Sequence, residues 1–167
     1  MFVLRILALA AGIVSASLGI AAASDESPRV AFFGFHLINT SLEATTEAEN
    51  RRIRDLDEIF RTRLDESGRF KIVAIPPDMQ EEIAGGPGIG SCNGCERDYT
   101  KRIGAELAAW GTVQKVSNLI LNINVYMVDV ETGQLAFVKS VDIRGNSDET
   151  WRHGLSYLLR HYLFGEP

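Results

Sequence analysis

The two cysteines of the chain, Cys92 and Cys95, stand in the segment CNGC directly ahead of Glu96. In an oxidising compartment a pair at this spacing closes a disulfide by default, and a bridge across so short a loop adds on the order of 2 kcal/mol by chain entropy. The sharper alternative is redox catalysis, because a C-x-x-C at a helix N-terminus has its thiolate stabilised by the helix dipole and by unpaired amides. Against it, no strand directly precedes the motif and no proline follows before Pro167, so the cis-proline loop of thioredoxin folds has no candidate. Haem attachment needs His after the second cysteine, where Glu96 stands.

A mixed thiolate and imidazole metal set would draw on Cys92, Cys95, His36 and one of His153 or His161, but no ligand spacing supports it. His153 and His161 are eight positions apart on one predicted helix, hence about 12 Å apart along its axis, too far to share an ion. No metal or cofactor is expected. Glycines 85, 86, 88, 90 and 94 match neither G-x-G-x-x-G nor a G-K-[ST] ending, so they read as a loop rather than a phosphate cradle. Ser41, Ser117 and Ser156 lack a G-x-S-x-G setting, and no carboxylate pair is fixed by spacing as acid and base. Two polar groupings remain. His36 and Asn39 end the first predicted strand, where open α/β sheets place their ligand crevices, which allows a small-ligand binder. Asn118, Asn122, Asn124 and Tyr126 alternate with Leu119, Leu121, Ile123 and Val125, a polar ladder that either takes a partner or is a solvated sheet face.

The elements that must position these groups follow an exported address. Residues 1–23 carry Arg5, an apolar stretch diluted with Ala, Gly and Ser, and a small-residue ending at Ala21 and Ala23, which is the pattern of a secretory signal peptide. Residues 24–28 form a short polar start, and residues 29–167 form one domain. No cysteine lies near the cleavage point to be lipidated, and no stable membrane anchor is expected after cleavage. Loss of Arg5 leaves 16 basic against 22 acidic residues over about 144 positions, an acidic surface with no general attraction for nucleic acid. A periplasmic location is expected, with secretion as the alternative. With 46% hydrophobic and 23% charged residues in 167, the chain has material for a single core and is neither disordered nor repetitive.

Residues 29–37 are apolar and aromatic, too short for a buried helix, and predict a central strand. Over 46–67, Ile53, Leu56, Ile59, Phe60 and Leu64 recur at three and four, which predicts an amphipathic helix ended at Gly68, with Glu47–Arg51 and Asp57–Arg61 pairs on a solvated face. Residues 70–75 resume strand character, completing a right-handed β-α-β unit with parallel strands. Pro76, Pro77 and the glycines predict a long loop over 76–95. A short helix over 96–106 and extended segments at 107–116, 118–130 and 135–144 follow, the last two joined through Glu131, Thr132 and Gly133. Asn146, Ser147 and Asp148 offer N-caps for a final helix over 149–164, whose stripe of Trp151, Leu155, Leu158, Leu159 and Tyr162 faces the sheet. The fold class is α/β (α+β): a β-α-β start, a short helix, an antiparallel three-strand meander and a C-terminal helix, packed on one mixed sheet.

This order resembles the small α/β domain found at the N-terminus of TolB and in CsgG-like and LpoB-like envelope proteins. VAFFGF stands where that group has a V-A-V-L-P-F-like first strand, and LDESGRFKIV resembles its L-x-x-S-G-R-F-x-V-V segment. RIGAELAAWGTV resembles L-G-A-D-x-V-V-x-G-x-V, and VYMVDVETGQL the strand and turn with D-x-x-T-G. The phrases CNGCE, VQKVSNLILN and RGNSDETW resemble those of a family of exported proteobacterial proteins, a domain of unknown function. The chain departs from CsgG and LpoB in lacking a lipidation cysteine, and from TolB in having no propeller repeats after residue 145. The resemblance implies a periplasmic, non-enzymatic protein-interaction or assembly module with an envelope protein as partner. The alternative is a thiol-disulfide or metal-handling accessory protein that uses Cys92 and Cys95.

Overall fold

Strand β1, Arg29–Asn39, lies in the middle of a mixed sheet because its residues are apolar on both faces for most of its length. A computed structural model describes residues 26–166, so the expected leader lies outside the described residues. Beside β1 run β2 (Lys71–Val73) and β3 (Leu107–Lys115), both parallel to it, and β4 (Ile120–Asp129) and β5 (Leu135–Arg144) continue from β3 as an antiparallel meander. The order across the five-stranded sheet is β2-β1-β3-β4-β5. This is the α+β arrangement that the periodicities predict.

Two helices cover one face. Helix α1, Glu47–Glu66, begins with a reciprocal capping box between Thr46 and Glu49 and buries Leu56, Phe60 and Leu64. Helix α4, Asp148–Leu158, is capped in the same way by Ser147 and Thr150 and buries Trp151, Leu155 and Leu158. Helix α1 packs on β1 and β2 and α4 on β5 and β4, and together with Val30, Phe32, Phe35, Ile123, Val125 and Met127 of the sheet they form one core. Each large side chain so buried contributes roughly 1.5–3 kcal/mol. Two glycines let this core close: a Cβ on Gly111 would fall 2.0 Å from the Phe35 ring, and one on Gly154 would fall 2.4 Å from Ile143. Among the described residues no helix is long and apolar enough to cross a membrane.

Several details differ from the sequence expectation. The 76–95 segment is not all loop, since Pro77–Gly85 forms α2. Proline is tolerated in the first helical turn, where its missing N–H has no partner to lose, and Met79 and Ile83 then share one face. Helix α3 is shorter than expected, Cys95–Arg102. A π-helical turn, Leu159–Leu163, ends the chain's last helix and shifts its phase, so that Leu163 is buried and Tyr162 is 45% exposed. Leu119 is 72% exposed, in a turn rather than on the buried side of β4. Glu47 pairs with Arg54 at 3.2 Å instead of Arg51. Among the described residues Arg61 forms no ion pair with Asp57; it donates to the Phe32 carbonyl at 3.3 Å and lies over the Phe32 ring.

Candidate functional site

The second face of the sheet is covered over only part of its area. There α2, α3 and the glycine-rich segment between them lie over Trp110, Tyr126 and Val128, with Ile83, Ile89, Phe33 and Tyr99 filling the contact. Trp110 and Tyr126 face each other across β3 and β4 and stack at 5.2 Å. The loop approaches Trp110 so closely that a Cβ on Gly90 would fall 2.6 Å from the indole Nε1, and Gly90 also has φ +79°. Both facts require glycine at this position. On the far side, the Arg97 guanidinium donates to the Val130 carbonyl at 2.9 Å and pins α3 to the β4–β5 turn.

Cys92 and Cys95 are joined in a disulfide across a turn in which Asn93 and Gly94 both have positive φ. Cys95 is the first residue of α3, and Glu96 follows it inside the helix, 8% exposed, with its carboxylate 3.2 Å from Cys92 Sγ. Both sulfurs and this carboxylate lie within 4.8 Å of one another, and His36 stands outside the group. The disulfide leaves no thiolate to ligate a metal in this form.

Where the cover ends, the same face is open. Strand register aligns His36 of β1, Thr112 of β3, Asn124 of β4 and Ser140 of β5 in one row, and Ile38, Gln114, Asn122 and Asp142 in the next. The Asn124 amide donates to Thr112 Oγ1 at 2.9 Å and to Asn122 Oδ1 at 2.8 Å, so these side chains hold each other in place. His36 is half-buried in this row, and desolvation lowers its pKa, which favours the neutral imidazole. Aliphatic side chains border the rows: Ile38, Ile120 and Val138 are 41%, 53% and 46% exposed. The structure thus sets His36 on the same open face as Asn122 and Asn124, while Tyr126 lies on that face but under the cover, stacked on Trp110.

Two expected members are elsewhere. Asn39 points to the opposite face from His36, because neighbours along a strand alternate. Its amide donates to the Glu43 carbonyl at 2.8 Å and its Oδ1 accepts from the Ser41 N–H at 3.0 Å, which shapes the link into α1. Facing opposite sides of the sheet, His36 and Asn39 do not line one crevice; a separate cleft lies earlier in β1, at a bulge between Phe32 and Phe35. A cleft of about 450 Å³ there is lined by Phe33, Gly34, Asp57, Arg61, Ile75 and Ile83. Asp57 accepts the Phe35 N–H at 2.6 Å, and burial pushes its carboxyl up from the ordinary value. Asn118 is not part of the β4 ladder, because residues 117–120 close a turn and the alternation starts only at Ile120.

Asn118 belongs to a polar hub that sequence reasoning missed. Lys115 at the end of β3 and Glu49 in the first turn of α1 are both buried and lie 2.7 Å apart. The Asn146 amide donates to Glu49 at 2.7 Å and to Asn118 Oδ1 at 3.0 Å, while its own Oδ1 accepts from Trp151 Nε1 and Arg52. Burial works to raise the Glu49 pKa, but hydrogen bonds from Lys115, the Thr46 backbone and Asn146 outweigh it and hold the carboxyl at about 2. The hydrogen bond to Glu49 in turn raises the Lys115 pKa. The spacing Thr46-x-x-Glu49, a capping box, is a local sequence signal at this hub.

The fold is similar to that of the LpoB C-terminal domain from Salmonella enterica, at 12% identity and a TM-score of 0.51, over 71% of this chain and 84% of that one. It is also similar to lipoprotein GNA1162 from Neisseria meningitidis, at 14% identity and a TM-score of 0.52, over 83% of this chain and 94% of that one. TolB from Acinetobacter baumannii aligns at 15% identity and a TM-score of 0.44, over 86% of this chain and 30% of that one. No curated protein matches the chain in sequence. The family DUF3280, described as a protein of unknown function (DUF2380), matches residues 28–163, and the chain belongs to it.

Proposed function

We propose that the domain of residues 29–167 is a non-enzymatic interaction module of the cell envelope that docks a partner protein on the open half of its sheet. The observation that carries this reading is the alignment of His36, Thr112, Asn124 and Ser140 across four strands beside Ile38, Gln114, Asn122 and Asp142. A face of fixed, mostly neutral hydrogen-bonding groups edged by Ile38, Ile120 and Val138 fits a protein surface of the same mixed character, since interfaces combine polar contacts with apolar area. It does not fit a nucleic-acid backbone, which needs a dense positive field. The acidic balance of the chain and the fold shared with a lipoprotein agree with an exported partner-binding role.

The experiment is co-purification of the tagged protein from its native envelope, in parallel with Asn124→Lys and with Glu58→Lys, an exposed position on α1 at the opposite face. A partner retained by wild type and by Glu58→Lys but lost from Asn124→Lys supports docking on the sheet. Equal retention by all three contradicts it.

A further inference from the structure

Glu96 is more than nine-tenths buried, and among the described residues it makes no ion pair. Its basic neighbour Arg97 is committed to the carbonyls of Val130 and Glu131 on the other side of α3. Among the described residues the one side-chain hydrogen-bonding neighbour of its carboxylate is Cys92 Sγ, at 3.2 Å. One oxygen of this carboxylate keeps contact with solvent, since no fully buried side-chain oxygen among the described residues lacks a partner; the other faces a disulfide sulfur, which has no proton to give. The contact becomes a hydrogen bond only when Cys92 is a thiol. A purely structural disulfide has no need of a buried acid aimed at one of its sulfurs.

The surroundings suit exchange. Cys92 and Cys95 are half-buried, not sealed in the core. A Cβ added at Gly88 or Gly94 would meet no atom within 4 Å, so approach to the loop is open on those sides. Cys95 heads α3, where the helix N-terminus favours a thiolate. No side chain caps that terminus.

We infer that the Cys92–Cys95 pair is a thiol-disulfide exchange site for disulfide-bonded partner proteins, with Cys92 as the attacking sulfur, Cys95 as the resolving sulfur and Glu96 as the proton carrier. Once a thiol reductant has given two electrons and two protons to the disulfide seen here, Glu96 takes the proton of Cys92, and the thiolate attacks the partner disulfide. One partner sulfur leaves and receives that proton from Glu96, while Cys92 remains in a mixed disulfide. Cys95 then gives up its proton and attacks Cys92 Sγ, and the second partner sulfur departs and is protonated. Two electrons pass from the chain to the partner: the partner disulfide becomes two thiols, and Cys92 and Cys95 become the disulfide seen here. This site is distinct from the open sheet face, so variants of Asn124 leave it unchanged.

The test uses the reduced full domain, folded at pH 7, with oxidised glutathione as the disulfide probe and mass spectrometry as the readout. Cys95→Ser should trap a mixed disulfide with glutathione on Cys92. Glu96→Gln, which keeps the shape and size of the side chain, should slow formation of that adduct by roughly tenfold or more, as loss of a proton-transfer group does. Melting curves of the reduced variants establish that each is folded. An adduct formed equally fast with Gln at position 96 overturns the role of Glu96. If Cys92 reacts only when denaturant unfolds the domain, the exchange site itself is overturned.

Discussion

Lys115 Nζ lies 2.7 Å from Glu49 Oε1, and the two side chains are 1% and 0% exposed. This contact ties the end of β3 to the first turn of α1, and through Asn146 it reaches the start of α4. Breaking a buried pair leaves one charge without compensation, which costs about 3–5 kcal/mol. Lys115→Met should therefore lower the unfolding free energy by that amount in urea titration. Combining it with Glu49→Gln should cost less than the sum of the single changes, because neither charge is then left alone.

The same pair sets an acid dependence. The Glu49 carboxyl is lowered from 4.5 to about 2 in the folded protein, so its contribution is fully present above the unfolded value and is lost as pH falls through the folded one. Stability should decline between about pH 4.5 and pH 2 in wild type, and this part of the decline should be missing from Glu49→Gln. Denaturant titrations across that range check the difference in slope.

Asp57 behaves in the opposite sense. Burial raises its pKa, so its charged form is penalised in the folded state and its contribution weakens as pH rises through the carboxyl range. Asp57→Asn keeps an oxygen for the Phe35 N–H and should be neutral or stabilising at pH 7. Asp57→Ala orphans that N–H and should cost about 1–3 kcal/mol. Thermal unfolding of both variants separates the charge from the hydrogen bond.

Gly90 is held by two independent constraints, its positive φ and its distance from the Trp110 indole. Gly90→Ala should cost about 1–3 kcal/mol, since backbone strain and overpacking both act. Removing the disulfide, by Cys92→Ser with Cys95→Ser, should cost on the order of 2 kcal/mol and leave partner capture by the sheet face intact. A second-site comparison by calorimetry and co-purification checks both statements.

The elements were legible wherever one side of a strand or helix decided the pattern. The three-and-four spacing of Leu56, Phe60 and Leu64 and the alternation of Leu121, Ile123 and Val125 are local consequences of burying one face. Helix α2 was hidden by its two prolines, which read as breakers although one of them opens the helix. The Glu49–Lys115 pair spans 66 positions, and no local pattern marks a charge that will be neutralised across the fold. Gly34 within an apolar strand was the local mark of the bulge that aims the Phe35 N–H at Asp57. The open face was legible only in halves, because the register that sets His36 opposite Thr112 and Thr112 opposite Asn124 exists only in the paired sheet.

The most direct test of the docking surface is site-specific photo-crosslinking in the native envelope, with the photoreactive residue placed at Val138 on the open face and, separately, at Glu58 on α1. Val138 is 46% exposed beside Tyr126, so the label reports on whatever covers the rows without disturbing the core. A discrete crosslinked partner is expected from Val138, abolished by Asn124→Lys in the same chain, and none of that product from Glu58. The same product from both positions, or one that persists with Asn124→Lys, would contradict docking on this face.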